Sequence, residues 1–578
     1  MTRRSMAPLA LLALGLAAWA YALSQLSPLA IHSYGLLASA PIWFPLGLAA
    51  LLAAFLIELV RPKPREWLLV ACLVVLIVAI YTAAPIIYGG TPEYAWTYKH
   101  IGVAQSLGHY GRVTEPSNIY QRWPAFFAGV AGVSALGHVG PLSFAAWSPL
   151  AFELADALLV LGIFCQLVRE RRVAFIAVLI YVGLISWIGQ DYLSPQAFGY
   201  LLWLGIVVIL LRWLRAPPAA PESRGRVARL RAWLLAGLEA PSETKPRHRL
   251  LAVALVAAIF FSVVAAHQLT PYMALAGVGA LTLLGLVRPR WVWLLLAAIA
   301  AAYLAPRFSF VAENFGLVSS VNPVSNASGV KGAYYQGAEA LTAWVCRGLA
   351  VSMWSLALLV IARRRRELGR VMIPAVLAFS PFALALVQNY GGEAIYRIYL
   401  FSAPWCALLI ASELNELRSP LRRWLSVGVV CTVALFAGLQ GLYGPIQVDS
   451  TAPDELAASV WLYDHVPHGS LIALPARNFP VGFVFDYNAY DVQFMPADYQ
   501  ITSNPWMDEG KLSEVNDWVA SLGHRSAYVV VNLGMYSWSD FYGYPTGFKD
   551  LVRKIPTAPG WSVVYRNPDV TIYRMDVT

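Results

Sequence analysis

Charge is scarce in this chain of 578 residues. Asp, Glu, Lys and Arg make up 13% of it and apolar residues 58%, against roughly 25% charged in an average soluble domain. That balance excludes a disordered chain, a coiled coil and an ordinary cytosolic enzyme, and leaves a polytopic membrane protein. Cysteine is nearly absent. Cys72, Cys165, Cys346, Cys406 and Cys431 all fall in apolar runs, and none lies beyond Gly444. Such placement supplies neither a disulfide framework nor a thiolate metal site, and the five read as small buried hydrophobes. No His-x-x-x-His or similar spacing suits zinc, and no internal repeat of useful strength is visible.

Apolar runs are abundant. A helix needs about 20 apolar residues to span a bilayer, and thirteen segments qualify, near 6–26, 37–60, 66–88, 147–168, 172–189, 197–214, 250–267, 271–287, 291–305, 339–362, 371–388, 395–412 and 424–443. The first, with Arg3-Arg4 before its apolar core and Ala20-Tyr21-Ala22 after it, has the outline of a cleaved signal. With so many helices following, it reads as a retained one. The expected fold is therefore a polytopic α-helical membrane protein of about thirteen helices.

The net charge of +10 is unevenly spread. Residues 1–443 hold 34 Lys/Arg and 17 Asp/Glu, whereas 444–578 hold 8 and 15. The basic excess thus belongs to the membrane part, where it sets orientation, and does not point to nucleic acid. With the N-terminus inside, the inner loops hold 27 of the 42 Lys/Arg, and the outer loops before residue 444 hold seven. This satisfies the positive-inside rule. It also decides the apolar stretch from Pro124 to Gly140. A crossing there would invert every later loop, so the stretch reads as an amphipathic helix on the outer surface. The membrane domain is then 1–443, with an outer loop at 89–146 and a cytoplasmic basic linker at 214–249 that carries a surface helix around Arg226 to Leu238.

From Gly444 the pattern changes. Asp454 to Tyr463 reads as a helix. Ser470 to Leu474, Ala527 to Val531, Trp561 to Tyr565 and Val570 to Arg574 read as strands, with a turn at Asn567-Pro568-Asp569. Residues 444–578 are expected to form an extracytoplasmic α/β domain. Its aromatic clusters, Trp461-Leu-Tyr463, Asp486-Tyr487-Asn-Ala-Tyr490 and Met535-Tyr-Ser-Trp538, read as core and interface. Asn326-Ala-Ser328 is a formal glycosylation sequon.

Polar residues near membrane depth are costly, so their positions carry information. They gather at the outer helix ends: Thr91 to His100, Tyr120-Gln121-Arg122-Trp123, Gln190-Asp191-Tyr192, His267-Gln268 and Gln388 to Arg397. This texture suits an anionic-headed substrate lying in the bilayer. Glu93 is placed to act as general base on a hydroxyl; its alternative is a solvated loop acid. Asp191 is a second carboxylate or a turn cap. His267 and Gln268 are phosphate or sugar contacts or helix-end hydrogen bonders. Glu393 and Arg397 stand four apart, as an intrahelical ion pair or as a phosphate grip oriented by its acid. Lys99, His100, Gln121, Arg122, Gln190 and Tyr192 complete the candidate binding set. Arg347, inside a span, should face a polar cavity; Glu153 and Asp156 either line the same cavity or satisfy each other and nearby helix ends.

The segment Glu93-Tyr-Ala-Trp-Thr-Tyr-Lys-His-Ile-Gly-Val-Ala-Gln-Ser-Leu-Gly108 resembles a signature of the GT-C superfamily of membrane glycosyltransferases, namely an acid early in the first large extracytoplasmic loop, then a helix and a glycine. Protein mannosyltransferases and actinobacterial arabinofuranosyltransferases are the relatives it is similar to. Tyr120 to Pro124 and Gln190 to Pro195 resemble uncharacterised actinobacterial members. The acidic loop here follows the third helix rather than the first, and Glu93 has no adjacent second acid. The resemblance implies a plasma-membrane enzyme that takes a sugar from a polyprenyl-phosphate donor to a glycan, glycolipid or protein acceptor at the outer face. Glu93 would be the base and Asp191 the second acid. No resident cofactor is implied; a divalent cation, Mg²⁺ or Mn²⁺, stays open because some members use one. The lack of a Gly-rich phosphate loop or nucleotide-sugar domain agrees with a lipid-linked donor. Inversion follows from single displacement, and Arg397, Lys99, His267 and Arg122, in that order, suit the leaving phosphate. Two other readings remain. One is an O-antigen-ligase-like enzyme or polysaccharide polymerase relying on His and Arg. The other is a lipid or glycan transporter, which would need polar residues through the midplane, where this chain is mostly Leu, Ala, Val and Ile.

Overall fold

The computed structural model describes residues 3–217, 225–238, 240–241, 244–315, 337–386, 388, 390–495, 512–543 and 547–577. The sequon at Asn326 to Ser328, Lys331 and residues 218–224 of the linker lie outside them. The chain opens with α1 (Arg3–Ser24), α2 (Trp43–Val60) and α3 (Glu66–Tyr81). The first long loop carries α4 (Ala95–Tyr110) and α5 (Ala125–Gly137). Then come α6 (Ser148–Leu167), α7 (Arg171–Ile185), α8 (Pro195–Ile209), the linker helix α9 (Arg226–Leu234), α10 (Pro246–Ala266), α11 (Thr270–Leu283) and α12 (Trp291–Leu304). The bundle ends with α13 (Gly337–Arg363), α14 (Gly369–Phe379), α15 (Ala394–Asn415) and α16 (Pro420–Tyr443).

Ten helices among the described residues, with their direct continuations, are long and apolar enough to cross a membrane: α1, α2, α6, α8, α10 and α12 to α16. The other three expected spans are the shorter helices α3, α7 and α11, of 16, 15 and 14 residues. Position explains α7. Every residue from Val173 to Ile185 is buried, so protein rather than lipid sets its length. Its neighbour α15 is buried without a break from Ile398 to Ala411. Helices apolar all round belong in the centre of a bundle. Where α7 meets α16, a Cβ added at Gly438 would stand 1.9 Å from the Gly183 carbonyl oxygen. The two backbones touch there because neither residue has a side chain. α5, at 13 residues, is short of a crossing and buries Phe126, Phe127 and Val130.

The two ends of the bundle differ in chemistry. At one, Glu58 at the end of α2 holds Arg61 and Arg65 at 3.0 and 2.7 Å, Arg172 donates to the carbonyls of Arg61 and Pro62, and Arg364 pairs with Glu413. Arg231 of α9 donates to the Leu284 carbonyl at 2.9 Å, which pins the basic linker to this end.

At the other end lie α17 (Ile446–Asp449), α18 (Pro453–His465), β1 (Leu471–Leu474), β2 (Asp491–Phe494), α19 (Leu512–Ser521), β3 (Ser526–Asn532), α20 (Leu533–Phe541), α21 (Gly547–Lys554), β4 (Trp561–Arg566) and β5 (Val570–Asp576). The strand order is β2-β1-β3-β5-β4. β2, β1 and β3 are parallel, whereas β5 runs antiparallel to β3 and β4. The four expected strands are β1, β3, β4 and β5; β2 was not anticipated. Asn567 makes the expected turn by accepting from the N–H groups of Asp569 and Val570.

One apolar core joins this sheet layer to the first long loop. Tyr98, Ile101, Val103 and Ala104 of α4 share it with Leu471 to Leu474 and Val529. A Cβ on Gly102 would lie 1.8 Å from the Gly482 carbonyl oxygen, so glycine lets the sheet layer rest directly on α4. The start of α4, where Glu93 sits, is thereby wedged between bundle and sheet.

Candidate active site

Glu93 lies two residues before α4, half-buried. Its backbone carbonyl accepts from Thr97 Oγ1 at 2.6 Å, while no described residue hydrogen-bonds its carboxylate. Removal from water, together with the charges of Asp191 and Asp449, pushes that carboxyl up to about 8. Asp191 stands in the loop between α7 and α8. Ser194 ends that loop by capping α8 through Ala197 N at 3.1 Å, with Pro195 at the first helical position. This placement follows the usual start of a helix. Asp191 is buried, its Oδ1 has no partner, and burial pushes its carboxyl up to about 7. Beneath it, Glu153 and Asp156 of α6 each keep one buried oxygen without a partner. With Gln190, Asp191 and Tyr200 they line a small cavity.

The cationic side is built around Arg397, in the first turn of α15. Its Nη2 donates to Glu393 Oε2 at 2.7 Å, so the i,i+4 pairing forms. Arg397 is 6% exposed, and its Nε and Nη1 have no partner. The Tyr390 ring lies 5.8 Å from its guanidinium, and the Tyr390 hydroxyl donates to Gln268 Oε1 at 3.5 Å. His267 follows α10. Its Nδ1 accepts from Thr270 N at 3.2 Å, which places the ring proton on Nε2 as a donor. Burial, then the charges of Arg397 and His100, hold its pKa down at about 3. As a neutral ring it can offer its Nε2–H as a donor.

Tyr192 and His100 connect the two sides. Tyr192 stacks on the His100 ring at 5.6 Å with planes 8° apart, and its ring is 5.3 Å from that of Tyr94, next to Glu93. His100 Nδ1 donates to the Leu193 carbonyl at 2.8 Å. Burial lowers its pKa to about 4, so the neutral ring presents Nε2 as an acceptor.

Three expected site residues are turned to other tasks. Gln121 is buried and spent on the protein itself. Its Oε1 accepts from the N–H groups of Thr114 and Glu115 at 2.8 and 2.9 Å, and its Nε2 donates to Tyr487 Oη at 3.2 Å. Arg122 donates to the Pro116 carbonyl and stacks on Phe310 at 4.1 Å. Lys99 approaches the Tyr487 ring at 5.8 Å, toward the sheet layer. Arg347 lies on the exposed face of α13 beside the Trp344 ring at 5.4 Å. In place of the expected polar cavity it has an exposed position within electrostatic reach of Glu339. Asp449 was missed altogether. A lone acid after the last span carries no pattern, and only the fold brings it to Glu93.

The chain is thus a helical membrane bundle with the helices of its first long loop and a C-terminal sheet layer packed at one end. No family model matches the chain, and no curated protein matches it. Among solved structures, the oligosaccharyltransferase of Archaeoglobus fulgidus in the apo form is similar, with a TM-score of 0.50 and 12% identity over 87% of this chain and 74% of that one. This likeness shows the fold. ArnT from Cupriavidus metallidurans also aligns. Bound to undecaprenyl phosphate, it gives a TM-score of 0.46 at 10% identity over 88% of this chain and 98% of that one. In its apo state the values are 0.44, 13%, 87% and 98%. Among the described residues no three His, Cys, Asp or Glu side chains are grouped closely enough to hold a metal ion.

Proposed function

We propose that the protein transfers a sugar from a polyprenyl-phosphate donor to a hydroxyl of a cell-envelope glycan, glycolipid or protein, with inversion at the anomeric carbon. Arg397 carries the reading. A guanidinium with two buried nitrogens left without a partner is costly unless an anion completes it. Its planar fork suits two phosphate oxygens. Tyr192 feels the charge of Arg397 and lies 5.3 Å from the Tyr94 ring, next to the half-buried Glu93 carboxyl, which no described residue hydrogen-bonds.

In this reading the acceptor oxygen attacks the anomeric carbon opposite the phosphate, and the bond to the phosphate oxygen breaks. The leaving phosphate takes the electron pair and is held by Arg397, with a further hydrogen bond from His267 Nε2. The acceptor proton passes to Glu93 in its ionised form. Asp191 orients the acceptor beside Glu93. The basic end faces the cytoplasm of a plasma membrane by the positive-inside rule, which puts Glu93, Arg397 and the sheet layer on the extracytoplasmic side.

The test is sugar transfer by purified, lipid-reconstituted protein offered a panel of polyprenyl-phosphate sugars, with Glu93→Gln beside it. Transfer that Glu93→Gln abolishes while donor still binds is expected. Transfer that survives the substitution would move the chemistry to His267 and Arg397, as in a ligase-like enzyme. Absence of transfer with every donor would overturn the reading.

A further inference from the structure

The segment leaving the last span grips the Glu93 turn from behind. Tyr94 N donates to the Asp449 carbonyl at 2.7 Å, and Thr91 Oγ1 donates to the Thr451 carbonyl. The residues on either side of Glu93 are thus tied to two residues that lie some 360 positions later in the chain. The grip has a strained conformation to hold. Tyr94 sits at φ 63°, ψ 120°, a region that side chains rarely occupy and that persists only where the surroundings enforce it. Below the clamp, Glu455 Oε2 accepts from Ala452 N at 2.9 Å, and Oε1 from Gly534 N at 3.0 Å. The clamp segment is therefore anchored in the sheet layer.

We propose that Asp449 is a positioning residue for Glu93: its backbone carbonyl fixes the turn that aims Glu93, and its side-chain charge sets the field in which Glu93 holds and releases its proton. The inference rests on the reading of Glu93 as a base. The groups that face Glu93 are Asp191 from the loop before α8, Asp449 from α17, Tyr443 from the end of α16, and Tyr88 and Tyr94 from its own loop. Among the described residues no cation is one of them. Asp449 itself is pushed up to about 7 by burial, so it gains its charge in the range where Glu93 must lose its proton. A like charge nearby makes that loss harder. Asp449 thus adds, after burial and the charge of Asp191, to what holds the proton on Glu93 and makes its carboxylate a stronger base.

Asp449→Asn tests this without breaking the grip, because the backbone carbonyl makes the bond to Tyr94. The Glu93 carboxyl is titrated by infrared spectroscopy in the full-length reconstituted protein, with its band identified by loss in Glu93→Gln. The pH profile of kcat/KM is recorded in parallel. In Asp449→Asn both midpoints should fall by about one pH unit, and Asp449→Glu should restore them. An unchanged infrared midpoint in Asp449→Asn overturns the proposal, whatever happens to the rate. If no donor supports transfer, the proposed function fails while the infrared titration still decides the role of Asp449.

Discussion

Arg397 and Glu393 form one charged hydrogen bond at 2.7 Å, and it leaves the arginine's other two nitrogens in the protein interior without partners. Glu393 itself is exposed, with 53% of its side chain accessible. The pair is lopsided: the acid steers a cation whose binding capacity is mostly unspent. Arg397→Ala should weaken binding of a polyprenyl phosphate by about 2–4 kcal/mol, roughly 30-fold to 1000-fold. Arg397→Lys should recover only part, since an ammonium lacks the planar fork. Glu393→Gln, which keeps an oxygen acceptor, should cost less than tenfold. Titration of the lipid phosphate into reconstituted protein separates the three variants. Equal affinity of Arg397→Ala and wild type would remove Arg397 from the donor site.

The Glu93 carboxyl, raised to about 8, sets the expected pH behaviour. A base works ionised, so kcat/KM should climb as pH rises toward 8 and then level off. The same shift bears on stability with a fixed sign. The folded state holds this proton more tightly than the unfolded chain, so the stability it contributes is complete below the unfolded value near 4.5 and is lost as pH rises through about 8. Glu93→Gln should therefore melt higher than wild type at pH 8 to 9 and alike at pH 4. Thermal unfolding at the two pH values reads this without any substrate.

Gln121 gives a cleaner contrast between structure and function. Its amide holds the 114–115 loop and reaches Tyr487 in the sheet layer. Gln121→Ala should lower stability by about 1–2 kcal/mol through the lost hydrogen bonds and expose the 111–118 loop to proteolysis. Affinity for a polyprenyl phosphate should stay within about twofold, because the amide makes no contact on the Arg397 side. A large loss of affinity at unchanged melting temperature would return Gln121 to the binding set.

The Gly183–Gly438 crossing predicts a severe packing effect. Gly438→Ala would put a Cβ 1.9 Å from the Gly183 carbonyl oxygen, and backbone cannot move aside as a side chain tip can. Separating α7 from α16 would loosen the bundle centre, a cost of about 3 kcal/mol or more. Gly162→Ala on α6, where an added Cβ meets nothing within 4 Å, is the matched control and should leave the melting temperature unchanged.

What could be read from the sequence followed from cost. Polar groups at the ends of apolar runs are expensive, so Glu93, Asp191, Glu393 and Arg397 stood out before any fold was known. Alternation and turn residues marked β1, β3, β4 and β5. β2 did not show, because Asp491-Val-Gln-Phe494 is too short to display a period and all four residues are half-buried. The length of α7 was hidden because a helix buried on all sides looks like a span in composition. The task of Gln121 and the approach of Asp449 to Glu93 depend on contacts between residues some 360 positions apart, which no local pattern encodes.

The proposed sidedness rests on the same charge asymmetry that framed the sequence. The basic loops gather at the end of the bundle opposite the sheet layer, where Arg61, Arg172, Arg231 and Arg364 make their contacts. Positive charge in short loops is retained on the cytoplasmic side during insertion. An impermeant thiol reagent applied to intact cells should therefore label a cysteine placed at Asp464 on α18 and spare one placed at Ser419 before α16. The background needs Cys165→Ser, since Cys72, Cys346, Cys406 and Cys431 are buried and Cys165 is partly exposed. Labelling at Ser419 but not at Asp464 would put Glu93 and Arg397 in the cytoplasm. A donor presented at the outer leaflet would then be out of their reach.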